Sequence, residues 1–309
     1  MRVSVHRQRG VALITALVVV ALAAVIATDL LWRTFLDQRR TETVVHGNQA
    51  RQYLRGGEDW AAHILRRDRE ETESDNLAQP WAQQMPPLPV DGGQILGRLE
   101  DQQGLFNLNN LITPEGQVNR PAVDQFRRLL MLLEIDPDAA DAVLDWMDPD
   151  QEPRLRGAED GFYLGLSPAY RTADQAIQAV SELRLVEGFR DPEIFERIEP
   201  YLVALPSAVL TPINVNTAPP PVLASLAEEF RIEEAEALSM LQEEGGFENV
   251  GDFHEAFGRT VEVDVDVRSY FFRLTIRADI GTASTTMYSL LFRDENGATS
   301  AISRTYGAL

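Results

Sequence analysis

The chain has 309 residues, 48 of them acidic and 28 basic, and its formal net charge is −20 at pH 7. It contains no Cys and no Lys, which excludes disulfides, thiolate zinc sites, cysteine nucleophiles, a Walker A loop and Schiff-base chemistry. So acidic a chain repels phosphate backbones, which disfavours nucleic acid as a partner.

The first feature along the chain is a basic N-terminus followed by an apolar segment. Residues 1–10 hold three Arg and no acid, and residues 11–27 are apolar except for Thr15. An apolar run of this length is at the lower limit of a membrane span, roughly 17–25 residues. Three interpretations are open: a secretory signal cut at residues 25–27, as an exported hydrolase would have, a plain membrane anchor, or a prepilin-type leader cut after Gly10.

Helix-forming residues continue well beyond the apolar segment. No Pro occurs before Pro80, and apolar residues recur at helical spacing, so we predict one helix over residues 11–70. A short basic leader before such a helix resembles type IV pilins and pseudopilins. That resemblance implies cleavage by prepilin peptidase after Gly10 and an N-methylated Val11. Loss of the three leader Arg would change the net charge from −20 to −23.

Thr15 departs from the pilin pattern. In the pilin family that this chain resembles, the fifth mature position is Glu. Its buried carboxylate pairs with the terminal ammonium of a neighbouring subunit. Burying a carboxylate without such a partner is costly, so a subunit with no neighbour above it can lack the Glu. Thr15 therefore suggests a tip position in a filament. The alternative is that its hydroxyl simply bonds its own helix backbone.

The remaining chain predicts an α+β fold. Residues 94–100 alternate as a strand, and residues 270–278, 285–293 and 298–306 form an antiparallel meander with a hairpin turn at 294–297. Between them the pattern is helical, with candidates at residues 120–133, 137–147, 172–183, 192–198, 219–230, 232–243 and 250–257. We predict a pilin-like β part (90–103 and 262–309) packed on the long helix. A large all-α insertion (104–261) would interrupt it, in lobes of about 104–205 and 206–261.

A short internal repeat supports two lobes. Residues 106–111 (FNLNNL) and 213–218 (INVNTA) both alternate Asn with apolar residues just before a helical stretch. The second copy begins a segment that looks like a helix-hairpin-helix module of the SAM-like kind. Its linking segment lacks the Gly-rich hairpin that would hold a phosphate, and acids far outnumber Arg around it. We therefore predict the fold without DNA binding.

An acidic loop is the candidate metal site. Residues 145–160 (DWMDPDQEPRLRGAED) place carboxylates at alternating positions, as a hard cation such as Ca²⁺ requires, although Pro153 excludes an EF-hand. A solvated acidic loop neutralised by Arg154 and Arg156 is an equal alternative. No catalytic motif occurs, so we predict that the chain is not an enzyme.

Several motifs in family order resemble the minor pseudopilin K of the type II (general) secretion pathway. They are RGVALITAL without Glu, residues 104–111, DAVLDWMDPD, RGAEDGFYLGLSPAYRTADQ, VSELRLVEGF, and Leu205-Pro206 with residues 213–218. Asp174 departs from the pattern, where many relatives have Asn. The runner-up is a minor pilin of a type IV pilus system.

The resemblance implies a structural role. It implies a single-pass inner-membrane protein with a periplasmic head, placed at the pseudopilus tip with minor pseudopilins I and J and with H below. The tip complex would start pseudopilus assembly on the inner-membrane platform. The resemblance also implies a calcium site in the helical domain, with candidate ligands Asp148, Asp150, Glu152, Glu159 and Asp160.

Overall fold

The computed structural model describes residues 9–206 and 208–307; most of the predicted leader, residues 1–8, lies outside them. The first element is α1 (Arg9–Glu71), a single 63-residue helix, roughly 95 Å long at 1.5 Å per residue. Its N-terminal half is exposed, whereas Ala50, Leu54, Ala61 and Leu65 are buried on one face of the C-terminal half. The predicted long helix is confirmed, and it runs through its glycines without a break.

A β-hairpin follows α1. Strand β1 (Leu88–Val90) pairs antiparallel with β2 (Gly93–Asp101), and Pro89 lies opposite Gln94. The sequence predicted β2 but assigned residues 75–89 to a loop because of their four Pro. Proline is tolerated in β1 because this strand is at the edge of the sheet, where its missing N–H removes no ladder bond.

The helical region follows with short parallel pairings between its segments. Strand β3 (Phe106–Asn107) pairs with β4 (Leu202–Val203), and β5 (Ile213–Asn214) pairs with β6 (Val265–Asp266). Each pairing begins at one copy of the Asn repeat, so the repeat is structural. The helices are α2 (Arg120–Leu132), α3 (Ala140–Met147), α4 (Asp160–Tyr163), α5 (Pro192–Ile198), α6 (Pro220–Ala224), α7 (Ile232–Glu243) and α8 (Val250–Phe257).

Two helix predictions are wrong in extent. Residues 172–183 hold only the start of a 3-10 helix (Val180–Leu185), because the backbone before it is fixed by remote side chains. The Asp160 carboxylate accepts from Thr172 N–H, and Asn109 bonds both N–H and C=O of Ile177. Helix α6 ends at Ala224 rather than at Phe230. Just after this end, Arg128 Nε donates a hydrogen bond to the Ser225 carbonyl at 2.7 Å.

The C-terminal strands complete one antiparallel sheet. Strands β7 (Phe271–Ile280), β8 (Ala283–Arg293) and β9 (Thr299–Tyr306) join the hairpin in the order β1-β2-β7-β8-β9. Apolar residues of β7 and β8 form one buried cluster with those of α1. The predicted fold, a long helix packed on a small antiparallel sheet, is confirmed.

The helical region holds two further buried clusters, one from residues 106–202 and one from residues 213–267. The bounds of the predicted domains and lobes stay a prediction. A buried polar cluster joins α1 to the sheet, and Asn214 links it to the helical region by donating to the Asp75 carbonyl at 3.1 Å. Arg293, only 1% exposed, donates to both carboxylate oxygens of Asp75 at 2.5 Å and to Asp68 at 3.3 Å.

Candidate functional site

The acidic loop connects α3 to α4 and lies beside the larger buried cluster. Asp148 follows the last residue of α3, and Glu159 precedes the first residue of α4. Carboxylate oxygens of Asp148, Asp150 and Glu159 lie within 4.8 Å of one another. We call these three residues the acidic triad; two of them, Asp148 and Asp150, come from the start of the loop and Glu159 comes from its end.

The triad contains buried oxygens without partners. Asp148 and Glu159 are only 6% and 5% exposed. Within residues 9–206 and 208–307, Asp148 Oδ1 and both carboxylate oxygens of Glu159 accept no hydrogen bond. A buried carboxylate without a donor is costly unless it takes up a proton or binds a cation. Burial, together with the negative charge of Asp145, Asp148, Asp150 and Asp174, raises the pKa of Glu159 to about 7.

The other two predicted ligands lie outside the triad. Glu152 is exposed, and its backbone N–H donates to Asp150 Oδ1 at 2.8 Å. Asp160 accepts from Arg171 at 2.8 Å and from the N–H and hydroxyl of Thr172 at 3.1 Å. The structure therefore brings together three of the five candidates, and the assignment of ligands stays a prediction.

Two acids near the triad were not among the predicted ligands. Asp145, in the last turn of α3, is fully buried, and its carboxylate accepts from the guanidinium and, at 3.0 Å, the backbone N–H of Arg154. Asp174 has a φ of 50°, a left-handed conformation that Asp and Asn tolerate better than other side chains, and its N–H donates to the Trp146 carbonyl at 3.1 Å. In the sequence, Asp174 was noted only as a departure from the family pattern that the chain resembles, and no pattern linked it to the acidic loop.

The predicted processing and assembly residues lie at the start of α1. Gly10 and Val11 belong to the first turn of the helix, and Val11 is exposed. The Thr15 hydroxyl donates to the carbonyls of Val11 and Ala12 at 3.1 and 3.0 Å. Thr15 thus satisfies its hydrogen bonds within its own helix and requires no partner. Helix α1 is long and apolar enough to cross a membrane, and none of its most apolar 18-residue stretch is buried.

An apolar groove runs along the exposed side of α1 below this segment. One wall is α1 itself, at Tyr53, Gly56 and Trp60, and the other is the β1–β2 hairpin with Met85 and Leu88. Its volume is about 330 Å³. Trp60 and Leu88 are about half exposed. We call this the α1 groove; sequence patterns did not reveal it, because it needs the packed hairpin.

These features define a class of protein. A membrane-competent N-terminal helix whose second half packs on an antiparallel sheet is the architecture of pilins and pseudopilins, here with a large helical region inserted between β2 and β7. Residues 104–207 and 213–263 each match a family described as Type II secretion system (T2SS), protein K.

Relatives and a solved structure agree with that match. The chain is 36% identical to type II secretion system protein K of Pseudomonas aeruginosa, over 97% of this chain and 93% of the relative. It is 38% identical to the protein K of Klebsiella pneumoniae, over 80% and 79% of the two chains. The chain therefore belongs to the type II secretion system protein K family.

The structural comparison gives the same result. A chain in the crystal structure of the GspK-GspI-GspJ complex from the enterotoxigenic Escherichia coli type 2 secretion system matches with a TM-score of 0.75 at 25% identity. The match covers 87% of this chain and 100% of that chain. These relatives belong to type II secretion, which favours the pseudopilin interpretation over the type IV pilus alternative. The family is a structural component of secretion machinery.

Proposed function

We propose that the chain is the minor pseudopilin at the tip of the type II secretion pseudopilus. It would bind minor pseudopilins I and J, with H below, and start assembly on the inner-membrane platform. The observation that carries this proposal is its likeness, over 87% of its length, to a chain solved in complex with GspI and GspJ. The large helical region supports a tip position, because it widens the head beyond the helix and sheet.

The α1 groove is the surface that we assign to one of these partners. It is apolar and lies alongside α1, so it suits an amphipathic helix packed along α1. A Cβ at Gly56 would meet no atom within 4 Å, so Gly56→Leu should fill the groove without disturbing the monomer. We expect co-purification of I or J to fall several-fold.

Gly47→Leu is the matched control, since Gly47 is also on α1, has equally open space and does not line the groove. Co-purification of I and J with the control should equal that with the unmodified chain. Loss of neither partner with Gly56→Leu would remove the groove from the proposal. Failure of the unmodified chain to bring down either pseudopilin would contradict the tip complex itself.

Membrane insertion and processing follow from the N-terminus. We propose that prepilin peptidase cuts after Gly10, leaving α1 in the inner membrane and the head in the periplasm. The supporting features are the basic leader and the exposed apolar half of α1. N-terminal sequencing of the mature chain tests this: N-methylated Val11 is expected, whereas a mature chain starting at Thr28 would indicate an ordinary signal peptide.

The acidic triad is the proposed calcium site. Ca²⁺ takes six to eight oxygens, and Asp148, Asp150 and Glu159 offer carboxylates beside Asp174. The unpartnered oxygens of Glu159 are the observation that favours a metal over a solvated loop. Bound calcium would tie the C-terminal end of α3 to the start of α4 and so stabilise the folded head.

Thermal unfolding with calcium or with EDTA tests the site. We expect calcium to raise the melting temperature by several degrees, since a ligand at 100 times its Kd stabilises by about 2.7 kcal/mol. Glu159→Gln should abolish this rise. Glu152→Gln, an exposed acid of the same loop outside the triad, should retain it. Equal melting temperatures of the unmodified chain in calcium and EDTA would count against the site.

A further inference from the structure

Arg154 neutralises part of the acidic loop. Its guanidinium Nη1 donates to Asp145 and, at 2.5 Å, to Asp148 Oδ2. Its backbone N–H donates to the other carboxylate oxygen of Asp145 at 3.0 Å. Within residues 9–206 and 208–307, no other Arg forms an ion pair with either carboxylate. Arg154 is therefore an internal cation placed at the edge of the acidic triad.

The carboxylate of Asp148 is divided between two environments. Its Oδ2 is bonded to Arg154, whereas its Oδ1 is buried and has no hydrogen-bond partner among the residues that the structure describes, like both carboxylate oxygens of Glu159. A metal held by the triad would therefore share one carboxylate with a guanidinium. The metal ion and the guanidinium would repel each other, because both are cations bound to one carboxylate. The site is partly buried, so salt and water screen this repulsion only weakly.

We propose that Arg154 competes with the bound metal for Asp148, so that metal binding releases the guanidinium from this carboxylate. The inference rests on the calcium site proposed above and adds a means of tuning it. The divalent ion prevails because its charge is twice that of the guanidinium and because it also satisfies Glu159. Arg154 in turn holds the loop in place when no metal is bound.

The position of Arg154 allows its release. Its side chain is 27% exposed, so the guanidinium can move into water without opening the core. The next residue, Leu155, is 94% exposed and forms the outer tip of the loop. The bond from the Arg154 backbone N–H to Asp145 can persist, because it does not involve the guanidinium. In the metal-bound head the guanidinium would then be bonded to Asp145 but no longer to Asp148.

Calcium affinity of Arg154→Gln tests the competition. Calorimetric titration of the full-length chain in detergent should show about tenfold tighter calcium binding by the variant, because the competing charge is gone. Its melting temperature in EDTA should be lower than that of the unmodified chain, because Asp145 and Asp148 both lose the guanidinium donor. Calcium should therefore raise the melting temperature of the variant more than that of the unmodified chain.

Arg156→Gln is the matched control. It removes the same charge two residues away, where the side chain is 66% exposed and, of the acids in the described part of the chain, reaches only Asp138, at 4.0 Å. Its calcium affinity should stay within about twofold of the unmodified chain. Arg154→Lys serves if the Gln variant does not fold. It keeps the charge on a side chain one bond shorter than the one whose Nη1 contacts both carboxylates, so the ammonium should hold Asp148 less closely and the variant should bind calcium two- to threefold more tightly.

The outcomes separate this inference from the proposed site. Unchanged or weaker calcium binding by the Arg154 variants, with binding by the unmodified chain, overturns the competition and leaves the site standing. Calcium binding by Arg154→Gln but not by the unmodified chain supports the competition. No binding by any of these proteins overturns the metal site, and the inference falls with it.

Discussion

Gly157 allows the acidic loop to close over a buried carboxylate. A Cβ at this position would lie 1.7 Å from Asp145 Oδ2, closer than atoms can approach. The Gly157 N–H donates to the Arg154 carbonyl at 3.1 Å, so this turn also positions Arg154. The glycine is needed here for close approach rather than for an unusual backbone conformation.

We expect Gly157→Ala to destabilise the head by about 1–3 kcal/mol, because the added methyl must displace Asp145 or the loop. Chemical denaturation in EDTA measures this loss. Gly161→Ala is the control: its Cβ would meet nothing within 4 Å, and Ala favours the helix in which Gly161 lies. Equal stability of the two variants would show that the loop does not pack against Asp145 as described.

Sequence patterns predicted only part of the acidic triad. Alternating acids in residues 148–152 predicted a cation site, and Asp148 and Asp150 do lie in the triad. The alternation also included Glu152, whose side chain faces solvent instead. A loop without regular structure has no fixed period, so spacing alone cannot say which carboxylates converge. The contribution of Asp174 depends on a left-handed backbone conformation, which tertiary contacts fix.

Two Asn residues serve the same structural purpose in the two copies of the repeat. Asn109 bonds the N–H and C=O of Ile177 at 2.8 and 2.9 Å. Asn216 bonds the N–H and C=O of Phe247 at 2.7 and 2.9 Å. Each is buried and satisfies the backbone of a remote segment that has no strand partner there. The repeat therefore marks where an irregular segment is anchored to each buried cluster.

Asn216→Ala should lower the free energy of unfolding by about 2–4 kcal/mol, since it leaves two buried backbone groups of Phe247 unbonded. Asn249→Ala is the control, because Asn249 is an exposed helix cap whose side chain bonds to the adjacent Asp252, and it should cost about 1 kcal/mol. Urea denaturation followed by circular dichroism compares the two. A cost for Asn216→Ala no larger than that of the control would contradict the anchoring role.

Periodic segments were predicted well at the level of elements, and irregular ones were not. The long helix, β2 and the C-terminal meander have a strong hydrophobic period, because each buries one continuous face. Residues 172–183 also contain helix formers, but bonds from Asp160 and Asn109 engage backbone N–H groups of Thr172 and Ile177 outside a helix. Such contacts join residues far apart in the chain, and no local pattern reports them.

Buried acids affect the stability of the whole molecule. Burial, together with the negative charge of Asp75, raises the pKa of Asp68 to about 7, and burial raises the pKa of Asp101 to about 6. The pKa of Asp in the unfolded state is near 3.9. Between that pH and its own raised pKa, each group holds a proton in the folded state that it releases on unfolding. Their contribution to stability is complete below about pH 4 and is lost as the pH rises toward 7.

We therefore expect the free energy of unfolding in EDTA to fall by more than about 1 kcal/mol between pH 4.5 and pH 7. Asp68→Asn should reduce this slope, because Asn takes no charge and can still accept from Arg293. Asp91→Asn, at an exposed position, should leave the slope unchanged. Urea titrations across the pH range measure it, and identical slopes for the two variants would contradict the assignment to Asp68.

Thr15 bears on whether the chain lies at the tip of the assembly or within it. In this structure its hydroxyl is satisfied by its own helix, so the residue needs no ammonium from a neighbour. Thr15→Glu would introduce a carboxylate into the membrane segment. A subunit at the tip has no neighbour above it to pair with that charge, and an unpaired acid in a membrane helix costs about 2–3 kcal/mol.

We expect the extracellular fraction of type II substrates to fall in cells that carry only Thr15→Glu. Thr15→Val, which keeps the shape and adds no charge, should secrete normally. Full secretion with Thr15→Glu would mean that a partner ammonium is available, and that the chain lies within the filament rather than at its tip.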